Sequence, residues 1–512
     1  MARKHENLSP KNATERSNER RESAWRVFLD ESGFSSPWRV SVRKKLDSGS
    51  VPSPDWLPDE TVAEHAKGAW KRELKRYKRA GQYLVVLIRQ LLFASIIGLF
   101  AGLLGVAFQF SMREASEFFL ACEKNSDGGL FRVVFLLPLS GLVVVFFYKA
   151  AKFRIDAGTN QVVEALVSWK KTPLRLLMLA PLIFVSSTIT QCFGGSAGRE
   201  GAALQLGGCV GLGIGRLLRL NGNPLHITII CGMAGGFAAV FGAPLTAAVF
   251  ALEIARVGVV YYPAFLPAIV SAAIGAALAS TFGFPPFHVV LPVFPADSAS
   301  LFARVLLFGV CAGGVCVFFC ATIRRVARAL TRFLPNEYWR ILFGGTCVAL
   351  ATVALGTNAY NGTGFANIQA AFDGETLPQD FIFKTFFTAF TLGAGFKGGE
   401  IVPALATGAL FGGTLAPYLA LDPSLGVALG MIAVFCGVTN CPLAALVLSV
   451  ELFGAEDALI FAIVCGVSYL TSGASGLYKS QRLVFSKLTS DPLRPEWRKA
   501  LEVEWDDSNA RT

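Results

Sequence analysis

Charge is scarce in this sequence: Asp, Glu, Lys and Arg make up only 16% of its 512 residues. An ordinary soluble domain carries about a quarter, so that class is excluded. Histidine is scarcer still. The four present, His5, His65, His226 and His288, lie in tails or at segment boundaries, and no metal-ligand cluster is expected from them. The 11 cysteines show no CxxC spacing and read as small buried packing residues. Residues 1–80 lack an apolar run long enough for a signal-peptide core, and their 12 acidic residues argue against an organelle transit peptide. Neither paired carboxylates nor an HExxH motif is present, so no enzymatic activity and no cofactor are expected.

Apolar residues fill the rest. The hydrophobic share is 53%, with 51 glycines, and the mean hydropathy is +0.50. This is the composition of an all-α polytopic membrane protein, which takes the lipid bilayer as its partner. Apolar runs such as 91–108, 133–147 and 268–282 follow one another from Leu84 to about Leu477. Many are short or broken by Gly or Pro. A spanning helix needs about 20 apolar residues, so several runs are expected to be half-helices buried against protein. The sequence divides into an N-terminal tail (1–82), a transmembrane domain (83–485, in halves of about 83–285 and 300–485) and a short C-terminal tail (486–512). Six basic residues between Lys71 and Arg79 stand directly before the first span, which places the N-terminus in the cytoplasm by the positive-inside tendency. Because these charges abut a span, they do not read as a nucleic-acid patch.

The two halves repeat one pattern at an offset of 198 residues. GGSAGREG at 194–201 matches LGAGFKGG at 392–399, so that Arg199 falls on Lys397 and Gly201 on Gly399. Further on, Pro244 with Glu253 matches Pro442 with Glu451. Repeated, Gly- and Pro-interrupted apolar segments point to a transport site between two halves.

Glu200 is the most informative residue. It is an ionisable group at membrane depth, flanked by glycines and followed by a helix whose positive end attracts anions. Its carboxylate is suited to occupy an anion site when ionised and to leave it when protonated; the bland alternative is an Arg199–Glu200 ion pair that fixes a loop. In the second copy the amides of Glu400, Ile401 and Val402 head another helix, and Glu400 reads either as a cap or Lys397 partner, or as a participant in transport. A weaker repeat pairs 158–166 with 364–372, where Gly158, Thr159 and Asn160 start a helix and offer either an anion contact or ordinary capping. Tyr478, at the last apolar boundary, reads by itself as an interfacial anchor.

From about residue 85 to 490, in order, these motifs resemble the CLC family of chloride channels and anion/proton antiporters. GREGA at 198–202 is similar to the family's GREGP, and GGEIVP at 398–403 to its GxFxP. The resemblance implies two inverted-topology repeats of broken helices, a homodimer with one pore per subunit, and both termini in the cytoplasm of a cell-membrane, multi-pass protein. It makes Glu200 the gating and proton-carrying glutamate. The anion site it implies draws on Gly158, Thr159, Asn160, Arg199, Gly201, Glu400, Ile401, Val402 and Tyr478. The implied activity is transport of chloride or fluoride by proton-coupled antiport, with a passive voltage-gated-type chloride channel as the alternative. Three departures stand out: AGTNQ at 157–161 replaces the family's GSGIP, Ala202 replaces a proline, and Ile254 stands where many chloride/proton antiporters carry an internal glutamate. These resemble the fluoride-exporting branch, with chloride left open.

Overall fold

A computed structural model describes residues 80–124, 133–153, 174–257, 260–292, 299–478, 481–483 and 487. Most of both tails, and all of 158–166 with Gly158, Thr159 and Asn160, lie outside the described residues. Leu91–Arg482 forms one compact unit.

The described residues fold into fifteen α-helices. In the first half these are α1 (Ala80–Lys124), α2 (Leu137–Ala150), α3 (Leu179–Cys192), α4 (Glu200–Leu217), α5 (Asn223–Phe241), α6 (Pro244–Glu253) and α7 (Phe265–Thr281). The second half holds α8 (Ala299–Phe333), α9 (Glu337–Leu355), α10 (Phe365–Phe372), α11 (Asp380–Ala394), α12 (Ile401–Leu415), α13 (Pro423–Thr439), α14 (Pro442–Phe453) and α15 (Ala458–Thr471). Five segments are long and apolar enough to cross a membrane: Val85–Cys122, Asn223–Phe241, Tyr262–Thr281, Ala299–Phe333 and Glu337–Leu355. Seven shorter apolar helices accompany them, as the broken runs predict. Outward side chains such as Leu92, Phe146, Leu307 and Leu350 are apolar and exposed, as a lipid-facing surface requires.

Local chemistry sets the helix starts. Pro244 and Pro442 occupy first positions, where a missing N–H costs nothing. Asp422 caps α13 by accepting from the amides of Ser424 (2.9 Å) and Leu425 (3.2 Å), and Asn336 caps α9 through Tyr338 (3.0 Å). Close helix pairs rely on glycine. A Cβ at Gly207 would run into the carbonyl of Gly232, and one at Gly408 into that of Gly430, so α4 can lie on α5, and α12 on α13, only with bare backbone at those points.

Paired hydrogen bonds relate the halves by an inverted two-fold. Glu451 closes α14 and accepts from the amides of Leu245 and Thr246 at the head of α6 (both 2.8 Å), while Glu253 closes α6 and accepts from those of Leu443 (3.4 Å) and Ala444 (3.0 Å) at the head of α14. These pairs keep the offset of 198. In the preceding loops the register differs. Ser196 N–H donates to Thr391 Oγ1 (3.1 Å) as Lys397 N–H donates to Thr190 Oγ1 (3.3 Å), and Gly198 pairs with Gly399. That is an offset of 201, so the expected match of Arg199 with Lys397 is corrected: Arg199 corresponds to Glu400, and Glu200 to Ile401. The slip of three arises because α4 has 18 residues and α12 only 15.

Candidate functional site

The heads of α4 and α12 meet at the centre of the fold. Gly198 and Gly399 exchange both backbone hydrogen bonds, at 2.7 and 2.6 Å. A Cβ at Gly399 would stand 2.6 Å from the amide nitrogen of Gly201, and one at Gly198 2.9 Å from Pro403 Cδ. Only glycine lets the two loops touch, and that contact aims two positive helix ends at one place.

Glu200 is fully buried there. Its Oε2 accepts from the Arg199 amide at 3.0 Å, and its Oε1 lies 3.4 Å from Arg199 Nε. The carboxylate is therefore folded back against the head of its own helix, the position that an anion would take. The Arg199–Glu200 ion pair of the alternative reading is present. The Arg199 guanidinium lies 5.0 Å from the centre of the Phe365 ring, and Arg199 lines a cavity of about 570 Å³ with Gln109, Ser116, Phe241, Thr363 and Phe365. The cavity thus reaches the residue that precedes Glu200.

Across the contact, α12 has no side-chain cap, so its first amides lack intrahelical acceptors. Ile401 and Val402 at this head are fully buried. Glu400 stands at the cap position without capping, which sets aside that reading; Lys397 is an electrostatic neighbour. Glu400 Oε2 and the Tyr478 hydroxyl are buried without a hydrogen-bond partner among the described residues, and the two groups are close enough to interact electrostatically. Gly201 approaches the same place, 3.6 Å separating an added Cβ from Glu400 Oε2. Six of the expected residues, Arg199, Glu200, Gly201, Glu400, Ile401 and Val402, therefore surround the meeting of α4 and α12, and Tyr478 joins them through Glu400.

Tyr478 owes its place to the end of α13. The Leu477 amide donates to Val438 O (2.9 Å), and Gln481 Nε2 to Thr439 O (2.8 Å). Nothing in the local sequence pattern pointed to Gln481. Ser196 is a further residue to account for, since GGSAG at 194–198 formally fits the G-x-S-x-G spacing of serine nucleophiles. Its hydroxyl is buried and shares a hydrogen bond with Thr388 Oγ1 at 3.1 Å, which makes it a strut between halves.

Comparison with known proteins shows the family. A family profile described as "Voltage gated chloride channel" matches residues 139–473. The chain belongs to the voltage-gated chloride channel family. Within this family it is 32% identical over 425 residues to a chloride/fluoride channel protein of Pseudomonas syringae pv. tomato, covering 81% of this chain and 91% of the relative. It is 28% identical over 418 residues to the H(+)/Cl(-) exchange transporter ClcA of Yersinia pseudotuberculosis, covering 77% and 85% respectively. Among solved structures, that of a CLC-type fluoride/proton antiporter superposes with a TM-score of 0.72 at 31% identity, covering 78% of this chain and 98% of that one. Membership makes the chain an all-α, multi-pass membrane protein with the family's inverted repeats of broken helices.

Proposed function

We propose that this protein carries small halide ions, chloride or fluoride, across the cell membrane in exchange for protons, with Glu200 as gate and proton carrier. The observation that carries this reading is the Glu200 carboxylate, fully buried and folded against the Arg199 amide at 3.0 Å, opposite the uncapped head of α12. Ionised, it takes the place of an anion; protonated, it loses its attraction for the helix end and yields that place. The anion then meets the amides of Ile401 and Val402, Arg199 and Gly201, with the Tyr478 hydroxyl and Glu400 nearby. Gly158, Thr159 and Asn160 of the substituted pore motif, which lie outside the described residues, are proposed as further anion contacts. The names of the relatives support fluoride alongside chloride.

The passive chloride channel is the second reading, and it is favoured by Ile254, which leaves no acid beside Glu253 to receive a proton from the other side. A homodimer fits the surface of α6, α7, α14 and α15, where Leu245, Leu266, Leu443 and Leu459 are exposed. Residues 1–82 and 486–512 form cytoplasmic tails on either side of a transmembrane domain, 83–485, in this proposal. Neither an enzymatic role nor a nucleic-acid partner is proposed. Flux of each halide driven by a pH gradient in liposomes tests antiport against channel.

A further inference from the structure

Lys384 on α11 is fully buried, and among the described residues no carboxylate lies within ion-pairing distance of its ammonium. Its three N–H donors are met by three consecutive backbone carbonyls, those of Tyr360 (3.0 Å), Asn361 (3.5 Å) and Gly362 (3.1 Å). Convergence of three successive carbonyls on one point is unfavourable unless a cation sits there, and the chain turns around the ammonium through positive φ at Gly362 (64°) and Gly364 (102°). Gly364 has no room for a side chain: a Cβ would stand 2.9 Å from Ala406 Cβ and 3.1 Å from Lys384 Cε. The counterpart of Lys384 in the loop register is Ile183, so only one half carries this charge.

The wrapped turn leads directly to the cavity that Arg199 lines, here called the vestibule. Thr363, within it, and Phe365, which follows it, both line the 570 Å³ cavity, and the Phe365 ring lies beneath the Arg199 guanidinium and 6.2 Å from the Phe287 ring. Asn361, by contrast, has anchors of its own: it donates to Gly194 O (2.6 Å) and accepts from Thr352 Oγ1 (3.2 Å). Loss of the ammonium therefore frees the stretch from Gly362 to Phe365 more than it frees Asn361 or the gate loop.

We infer that Lys384 is a positioning residue for anion capture: by holding the turn 360–364 it keeps Phe365 under Arg199 and so fixes the guanidinium on the floor of the vestibule. The inference rests on the halide-transport reading. Its signature is a change in the anion concentration at half-maximal flux with little change in maximal flux, because the helix head that carries Glu200 is held by the Gly198–Gly399 bridge rather than by this turn.

The test uses the full-length protein in liposomes, with fluoride and chloride each varied alone, and compares Lys384→Met, Phe365→Leu and the double variant. Lys384→Met should raise the half-saturating concentration about tenfold and Phe365→Leu about threefold, with maximal flux within about twofold of the parent. The double variant should be no worse than Lys384→Met, since the two residues act in series. Unchanged half-saturation in either single variant, a loss confined to maximal flux, or additive effects would overturn the inference. If Lys384→Met does not fold, Phe365→Leu decides alone, because half-saturation equal to the parent's contradicts capture through this ring. A parent protein that moves neither halide would instead defeat the transport reading itself.

Discussion

Gly198 and Gly399, 201 residues apart in the chain, are bound to each other by both of their backbone hydrogen bonds, N–H of each to C=O of the other, at 2.7 and 2.6 Å. This short bridge holds the heads of α4 and α12 together, and with them Glu200, Glu400 and the first amides of α12. A membrane interior offers no water to replace these bonds, so the bridge is the structural centre of the site.

Gly399→Ala should therefore disable transport without unfolding the protein. The new methyl meets backbone, the Gly201 nitrogen at 2.6 Å, and must force the two heads apart. Halide flux is expected to fall at least about tenfold, since a displacement near 1 Å at a reacting site costs up to about a hundredfold. Gly466→Ala, which has open space around it, should leave flux unchanged. Liposome flux assays on both variants, with gel filtration as the fold control, check this.

The reciprocal caps predict an asymmetry in stability. Glu451 accepts three hydrogen bonds, including one from Thr246 Oγ1 at 2.6 Å, whereas Ala444 gives Glu253 no such hydroxyl. Glu451→Ala should cost about 1–3 kcal/mol, visible as a lower denaturation temperature in detergent. Thr246→Val should reproduce only part of that loss. Equal temperatures for Glu451→Ala and the parent would contradict the role of the cap.

Removal of the Tyr478 hydroxyl should weaken anion binding. That oxygen is buried and has no partner among the described residues, so its O–H is free to donate to an anion. Tyr478→Phe is expected to raise the half-saturating halide concentration about five- to tenfold, consistent with one hydrogen bond to a charged group. Isothermal titration with fluoride and chloride measures it, and unchanged affinity for both would remove Tyr478 from the site.

The positive run Lys71–Arg79 predicts that the N-terminal tail faces the cytoplasm. Protease added to right-side-out vesicles should spare residues 1–82. Cleavage of the tail from outside would reverse the proposed topology.

Much of this arrangement was legible in the chain. Composition and broken apolar runs implied half-helices in a membrane, and the spacing of Pro244 to Glu253 and of Pro442 to Glu451 located two helices that cap each other. The register of the pore loops was not legible. Matching small residues and like charges sets Arg199 on Lys397, but the three extra residues of α4 lie downstream, in a helix with no residue type to mark them. The true counterparts, Arg199 and Glu400, differ in sign, so no residue comparison selects them; only the exchange of hydrogen bonds does. Lys384 was missed for a related reason, because its partners are backbone carbonyls and leave no side-chain signature.

The central claim is that Glu200 couples the anion to the proton, and uphill transport in liposomes tests it most directly. With a halide gradient absent and a proton gradient imposed, the parent protein should accumulate fluoride or chloride against equilibrium, while Glu200→Gln should move halide only down its gradient and carry no protons. Proton-driven uphill flux that persists in Glu200→Gln would contradict the account.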